Sequence, residues 1–239
     1  MTKNLCFIVF TLATLCGLVA CDEGDIPEKE VVYTSGRPIK LTTHITGLSD
    51  WSEGFGVVLA TFDGDEDNYD VGQLRIPPEC EGKDTTLVWE LTSKATSVEL
   101  CLVSALRERI ITFAKVDVSA GTDTIRLDAG RVEASVYKSV LTLFKNSCIR
   151  CHGEGGAAQL WLDADRAYTS LVNHPAYRAE FEGRMRVLPG DAESSVLHQM
   201  LDAAYPNAQD IGVNHKAIFR STYPMNIIDL WINNGAKDY

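Results

Sequence analysis

Eight consecutive residues, Asn146 to Gly153, read Asn-Ser-Cys-Ile-Arg-Cys-His-Gly, so two thiols and an imidazole fall within five positions. Three chemistries use such a grouping: structural zinc binding, thiol–disulfide exchange and covalent haem attachment. A structural zinc site takes four ligands, usually from a second pair at recognisable spacing, and the chain has no second CxxC. Adjacent Cys151 and His152 also point in different directions on a helix, which suits a tetrahedral site poorly. Thiol exchange uses the CxxC but has no need of the histidine, and the thioredoxin-type βαβ pattern is missing. Haem accounts for every position. Residues three apart lie on one face of a helical turn, so Cys148 and Cys151 can both add to one porphyrin, and His152 then reaches the iron from the same side. At this chain's cysteine and histidine frequencies, chance would supply the motif about 0.004 times.

The elements that must position these residues differ between the two halves. Apolar residues at Val132, Val136, Val140, Leu143 and Phe144 keep helical spacing up to the cysteine pair. A second short amphipathic helix runs over Met225–Gly235, with Gly235 where a left-handed C-terminal cap belongs. From Val31 to Leu127 the texture is strand-like: short β-branched and aromatic runs such as Ile39–Ile45, Gly56–Phe62, Val98–Val103 and Ile110–Val118, divided by turn residues. About seven such runs predict an all-β, immunoglobulin-like sandwich over residues 31–130. The expected fold class is therefore multidomain, with a mostly α domain over 132–239 following the sandwich. The acidic loop Asp63–Asp70 lacks the EF-hand glycine and glutamate, having Asn68 and Leu74 there, and reads as a solvated loop.

Residues 1–20 carry Lys3 as their only charge, then an apolar run from Leu5 to Leu15, which is the pattern of a secretory signal. The run ends in Leu18-Val19-Ala20-Cys21, which resembles the lipobox of bacterial lipoproteins. That resemblance implies cleavage before Cys21 and lipidation of its sulfur and amine, with residues 21–30 as a polar tether. Seven cysteines are present. Cys6 and Cys16 would leave with the signal, and Cys80 and Cys101 form a candidate disulfide in an oxidising compartment, two separate buried thiols being the alternative. No later segment has eighteen apolar residues in a row, so the expected membrane contact is the lipid anchor alone. The expected location is the bacterial cell envelope, periplasmic or associated with the outer membrane.

Net charge is −11, with 33 acids and 22 bases, which argues against nucleic acid as a partner. Residues 21–131 hold net −10 and residues 132–239 net −2. That asymmetry favours a redox partner with a basic docking surface, met through a salt-sensitive encounter.

The stretch 132–239 resembles the monohaem cytochrome c-like domains of secreted and lipoprotein chains of bacteria. The resemblance rests on the helix entering Cys148-Ile149-Arg150-Cys151-His152-Gly153 and on Ala167–Val172. It continues with Val187-Leu188-Pro189-Gly190-Asp191 followed by Ser195 and Leu197, and ends in Ile228-Asp229-Leu230-Trp231-Ile232-Asn233-Asn234-Gly235-Ala236. It implies one covalent haem c held by Cys148 and Cys151, His152 as proximal iron ligand, and Trp231 with the flanking helices at the haem edge. The family's Met-Pro pair before the terminal tryptophan is missing; that window reads Asp210–Ala217 and offers His215 as its one ligating side chain. Met225 and Met200 are the alternative sixth ligands, and an open position is a further one. The expected function is electron transfer by a lipid-anchored c-type cytochrome. Two alternatives stand beside it. One is a haem enzyme or gas sensor with an open or weak sixth ligand; the other is a surface protein whose sandwich binds glycan or protein. Whether the chain is a catalyst is left open by the residues.

Overall fold

The computed structural model describes residues 36–51, 54–64, 69–91, 95–121, 123–204 and 214–239. The signal, Cys21, the tether and part of the Asp63–Asp70 loop lie outside the described residues.

Among the described residues seven strands form two sheets. They are β1 (Arg37–Thr46), β2 (Phe55–Phe62), β3 (Gly72–Arg75), β4 (Asp84–Leu91), β5 (Ser97–Ser104), β6 (Arg109–Asp117) and β7 (Ile125–Glu133). One sheet has the order β4-β1-β7 and the other β3-β2-β5-β6. Along β1 every second side chain, from Ile39 to Ile45, is buried, as a strand with one face on the core requires. The middle strands β2 and β5 are buried along nearly their whole length. Val57, Leu59, Leu100 and Leu102 join the core shared by both sheets, and Val58, Ala60, Phe62, Cys101 and Val103 form a second cluster on the opposite face. The β1–β7 pair is parallel, with an irregularity where Thr43 comes to face Gly130; Gly130 has φ +60°, a bend that glycine adopts without steric cost.

Five α-helices follow among the described residues: α1 (Val136–Ser147), α2 (Ile149–His152), α3 (Ala167–Leu171), α4 (Val196–Leu201) and α5 (Tyr223–Asn233). The Ser135 hydroxyl caps α1 by accepting from the Lys138 amide, satisfying one of the donors a helix start leaves open. Helices α1 and α5 pack together, burying Val140, Leu143, Phe144, Ile227, Ile228 and Trp231 in the same core that the strands supply. Tyr137 stacks on Trp231 at 5.4 Å between ring centroids, and the Trp231 indole donates to the Lys237 carbonyl at 2.7 Å.

The expected fold class is corrected here. Residues 34–239 form one compact unit, and strand residues outnumber α-helical ones among those described. The protein is mostly β, and a mostly α C-terminal domain of cytochrome c-like fold is not what the chain builds. Only α1 and α5 exceed ten residues, and the other three helices have four to six. Gly153, Gly155, Gly156, Pro175, Gly183, Pro189 and Gly190 lie between α1 and α4 and interrupt helical structure there. The apolar faces of α1 and α5 are also not turned toward helices alone. The Trp51 indole donates to the Ala134 carbonyl at 2.7 Å just ahead of α1, and Phe55 of β2 meets Tyr223 of α5 edge-on at 6.4 Å. Among the described residues no helix is long and apolar enough to cross a membrane.

A shared core makes strands and helices unfold together. Leu100→Ala in β5 and Ile227→Ala in α5, both fully buried, should each cost about 2–5 kcal/mol. Each should shift the same single urea transition, read by far-ultraviolet circular dichroism and by tryptophan fluorescence.

Candidate haem-attachment site

Helix α1 delivers the motif, and its last turn becomes the motif's first. The Cys148 amide closes on the Phe144 carbonyl at 2.7 Å. The amides of Cys151 and His152 then both close on the Cys148 carbonyl, at 3.1 and 3.0 Å. The two cysteines therefore occupy one turn, three residues apart, as addition to a single porphyrin requires. Both are free thiols, Cys148 half-buried and Cys151 exposed. Burial pushes the Cys148 thiol up to about 11, and the neighbouring Cys151 adds to the rise.

The helix ends at Gly153, where a side chain would meet the Ile149 carbonyl oxygen at 2.6 Å. The chain then folds back through Gly155 and Gly156. Gly156 has φ +52°, and a Cβ on it would lie 2.6 Å from the Trp161 indole. The return brings the Ala157 carbonyl to 3.0 Å from His152 Nδ1, while the Leu162 amide donates to the His152 carbonyl at 2.6 Å. Donation from Nδ1 to a carbonyl selects the tautomer whose Nε2 lone pair is free, the arrangement that metal-bound histidines use. Burial holds His152 below the ordinary histidine range, outweighing backbone hydrogen bonding to Ala157 and Leu160, and His215 and Arg186 act in the same downward direction.

His215 opens a 3₁₀ turn, His215–Ala217, against which α4 packs. Its ring lies 6.2 Å from the ring of His152, centroid to centroid, with 43° between the planes. Two imidazoles on opposite sides of one metal have centroids roughly 6 Å apart, given metal–nitrogen bonds of about 2 Å and a ring radius near 1.1 Å. The two rings thus already stand at the separation that axial ligands of one iron need. Donor types, tautomer and spacing all fit a covalently held haem.

The other residues singled out from sequence fall elsewhere. Met200 is half-buried on α4, the helix beside His215, and Met225 is half-buried in the first turn of α5. Cys80 belongs to the core between the sheets and Cys101 to the cluster on the opposite face of β5; the two are free thiols and are not joined. Trp231 is buried against Tyr137, beside a hollow of about 400 Å³ lined also by Ser49, Asp50 and Lys237.

Sequence reasoning missed the turn that holds His152. Ala158 and Gln159 both have positive φ, 54° and 52°, in a region L-residues occupy at a cost of about 1 kcal/mol or more each. Their neighbours hold them there: the Arg186 guanidinium donates to the Ala158 carbonyl at 3.3 Å. Only the glycine run before them hinted at a tight return.

No family model, curated protein or solved structure matches the chain.

Gly156→Ala should lower stability by about 1–3 kcal/mol, since it adds both backbone strain and a clash with Trp161. Chemical denaturation measures this, with Gly82→Ala as the control: Gly82 has a similar positive φ, +65°, but nothing near its Cβ, so its loss should be smaller.

Proposed function

We propose that this chain is a lipid-anchored c-type haem protein that transfers electrons in the bacterial cell envelope. The observation that carries the reading is that the His152 ring, on the turn that also presents Cys148 and Cys151, stands 6.2 Å from the His215 ring. In this reading Cys148 and Cys151 would hold one haem c by thioether bonds, and His152 and His215 would bind its iron. Haem supplies an iron centre that gains and loses one electron, and the protein tunes its potential and access.

Each residue then has a separable task. The Ala157 carbonyl orients His152 and raises the basicity of the nitrogen left for iron. A second imidazole from His215 favours the ferric state more than a methionine sulfur does, so the potential would lie below that of a Met/His centre. With both axial positions held by protein, the centre exchanges electrons without binding substrate at iron, which is why electron transfer is favoured over catalysis or gas sensing. Cys21, following Leu18-Val19-Ala20, would carry the lipid that keeps the protein at a membrane surface. The acidic 21–131 segment, net −10, suits a redox partner with a basic docking surface.

Absorption spectra of the full chain, matured with haem, test this reading in oxidised and reduced states with and without carbon monoxide. The expected result is a low-spin spectrum unchanged by carbon monoxide in the wild type. His215→Ala should give a high-spin spectrum that shifts with carbon monoxide. A wild type that binds carbon monoxide readily would refute the two-histidine centre. Partner encounter should be tested with a basic redox protein: the association rate should fall steeply as salt rises through about 0.15 M, where screening reaches about 8 Å.

A further inference from the structure

Arg186 is the only lysine or arginine buried among the described residues, at 5 % exposure. It sits on the short extended segment 185–187, which Leu171 to Pro175 pin from one side: the Val187 amide donates to the Leu171 carbonyl and the Arg186 amide to the His174 carbonyl. The Leu197 amide, in α4, donates to the Arg186 carbonyl. A guanidinium so placed is expected to meet a carboxylate, because an uncompensated buried charge costs several kcal/mol. Among the described residues none meets it. Its partners are all neutral: Nη1 donates to the Ser170 carbonyl at 2.8 Å and to the Ser170 hydroxyl at 3.3 Å, and Nη2 to the Ala158 carbonyl at 3.3 Å. Burial alone drives its proton affinity below the ordinary arginine range, with no acidic neighbour opposing it.

A guanidinium has five N–H donors in a planar fork. Three contacts leave donors on the Nε and Nη2 side without a partner among the described residues, and that side is the one that grips a carboxylate in bidentate fashion. The place is as informative as the charge. Arg186 holds the Ala158 carbonyl, and His152 holds the Ala157 carbonyl one residue before it. Arg186 and His152 therefore hold adjacent carbonyls of one turn, and the guanidinium charge is felt at the His152 ring. Haem brings two carboxylates of its own, and this acidic chain, with 33 acids against 22 bases, offers no other buried lysine or arginine among the described residues.

We infer that Arg186 is the internal counter-charge of the haem, pairing through its free fork with a propionate carboxylate. The inference rests on the haem reading above. It makes Arg186 a binding residue, which lowers the cost of burying the carboxylate and, as a fixed positive charge near the iron, favours the ferrous state.

The test uses the full chain matured with haem. Arg186→Gln should lower the reduction potential by about tenfold in the ferrous-to-ferric ratio, about 59 mV for one electron, and Arg186→Lys, which keeps the charge but not the fork, should recover most of that shift. A haem-loaded Arg186→Gln protein with the wild-type potential would mean that Arg186 only braces the turn, and would overturn the inference alone. Because the variant can fail to fold, a wild-type measurement stands beside it. Reduced protein carrying ¹⁵N-arginine and ¹³C-labelled haem carboxylates should give a nitrogen–carbon correlation between Arg186 and one propionate, and its absence also overturns the inference. A wild type that acquires no covalent haem at all would overturn this inference and the haem reading together.

Discussion

The hydrogen bond from His152 Nδ1 to the Ala157 carbonyl, at 3.0 Å, is the constraint around which the candidate site is organised. It favours the tautomer that leaves Nε2 its lone pair, and so sets which nitrogen of the ring would bind iron. The bond spans only five residues, yet the chain must reverse completely to make it. Gly153 ends the helix, Gly156 turns the backbone with φ +52°, and Ala158 and Gln159 continue in left-handed conformations that neither prefers. Strain of this kind persists only where surrounding contacts over-determine it. Here the contacts are the Arg186 bond to Ala158 and the Leu162 amide on the His152 carbonyl.

Those contacts depend in turn on the packing of the whole chain. Helix α1 brings the cysteines to their place because its buried face is locked against α5 and the strand core. Segment 185–187 places Arg186 because it is pinned between Leu171–Pro175 and the start of α4. The same α4 packs against the His215 turn. The mostly β architecture is thus not a passive neighbour of the motif. Its core anchors the helix from which the motif emerges, as the contacts of Trp51 with Ala134 and of Phe55 with Tyr223 make plain.

How much of this was legible depended on sequence distance. Cys148, Cys151 and His152 are neighbours, so their chemistry could be read from spacing, and the apolar positions 136, 140, 143 and 144 trace the buried face of α1 directly. The last helix was legible for the same reason, although it begins at Tyr223 rather than Met225. His215 was picked out as the one ligating side chain in its window, an argument by elimination that carried no geometry. The mixed core was not legible, because periodicity says which face of an element is apolar but not which element covers it; from that gap came the expectation of a separate helical domain. Arg186 was invisible for a related reason. A lone base in Met185-Arg186-Val187 has nothing local to distinguish it from a solvated side chain, and only tertiary contacts bury it. Nor does Ala157-Ala158-Gln159 hint at positive φ, since those residue types do not favour it.

The central claim is that the turn from Cys148 to His152 holds haem covalently, and the most direct measurement is the intact mass of the full chain under denaturing conditions. The protein should be produced in cells that mature a control c-type cytochrome. The account predicts a mass increased by one haem that survives unfolding and disappears when Cys148 and Cys151 are both replaced by alanine. An unmodified mass, from cells in which the control has acquired its haem, would contradict it.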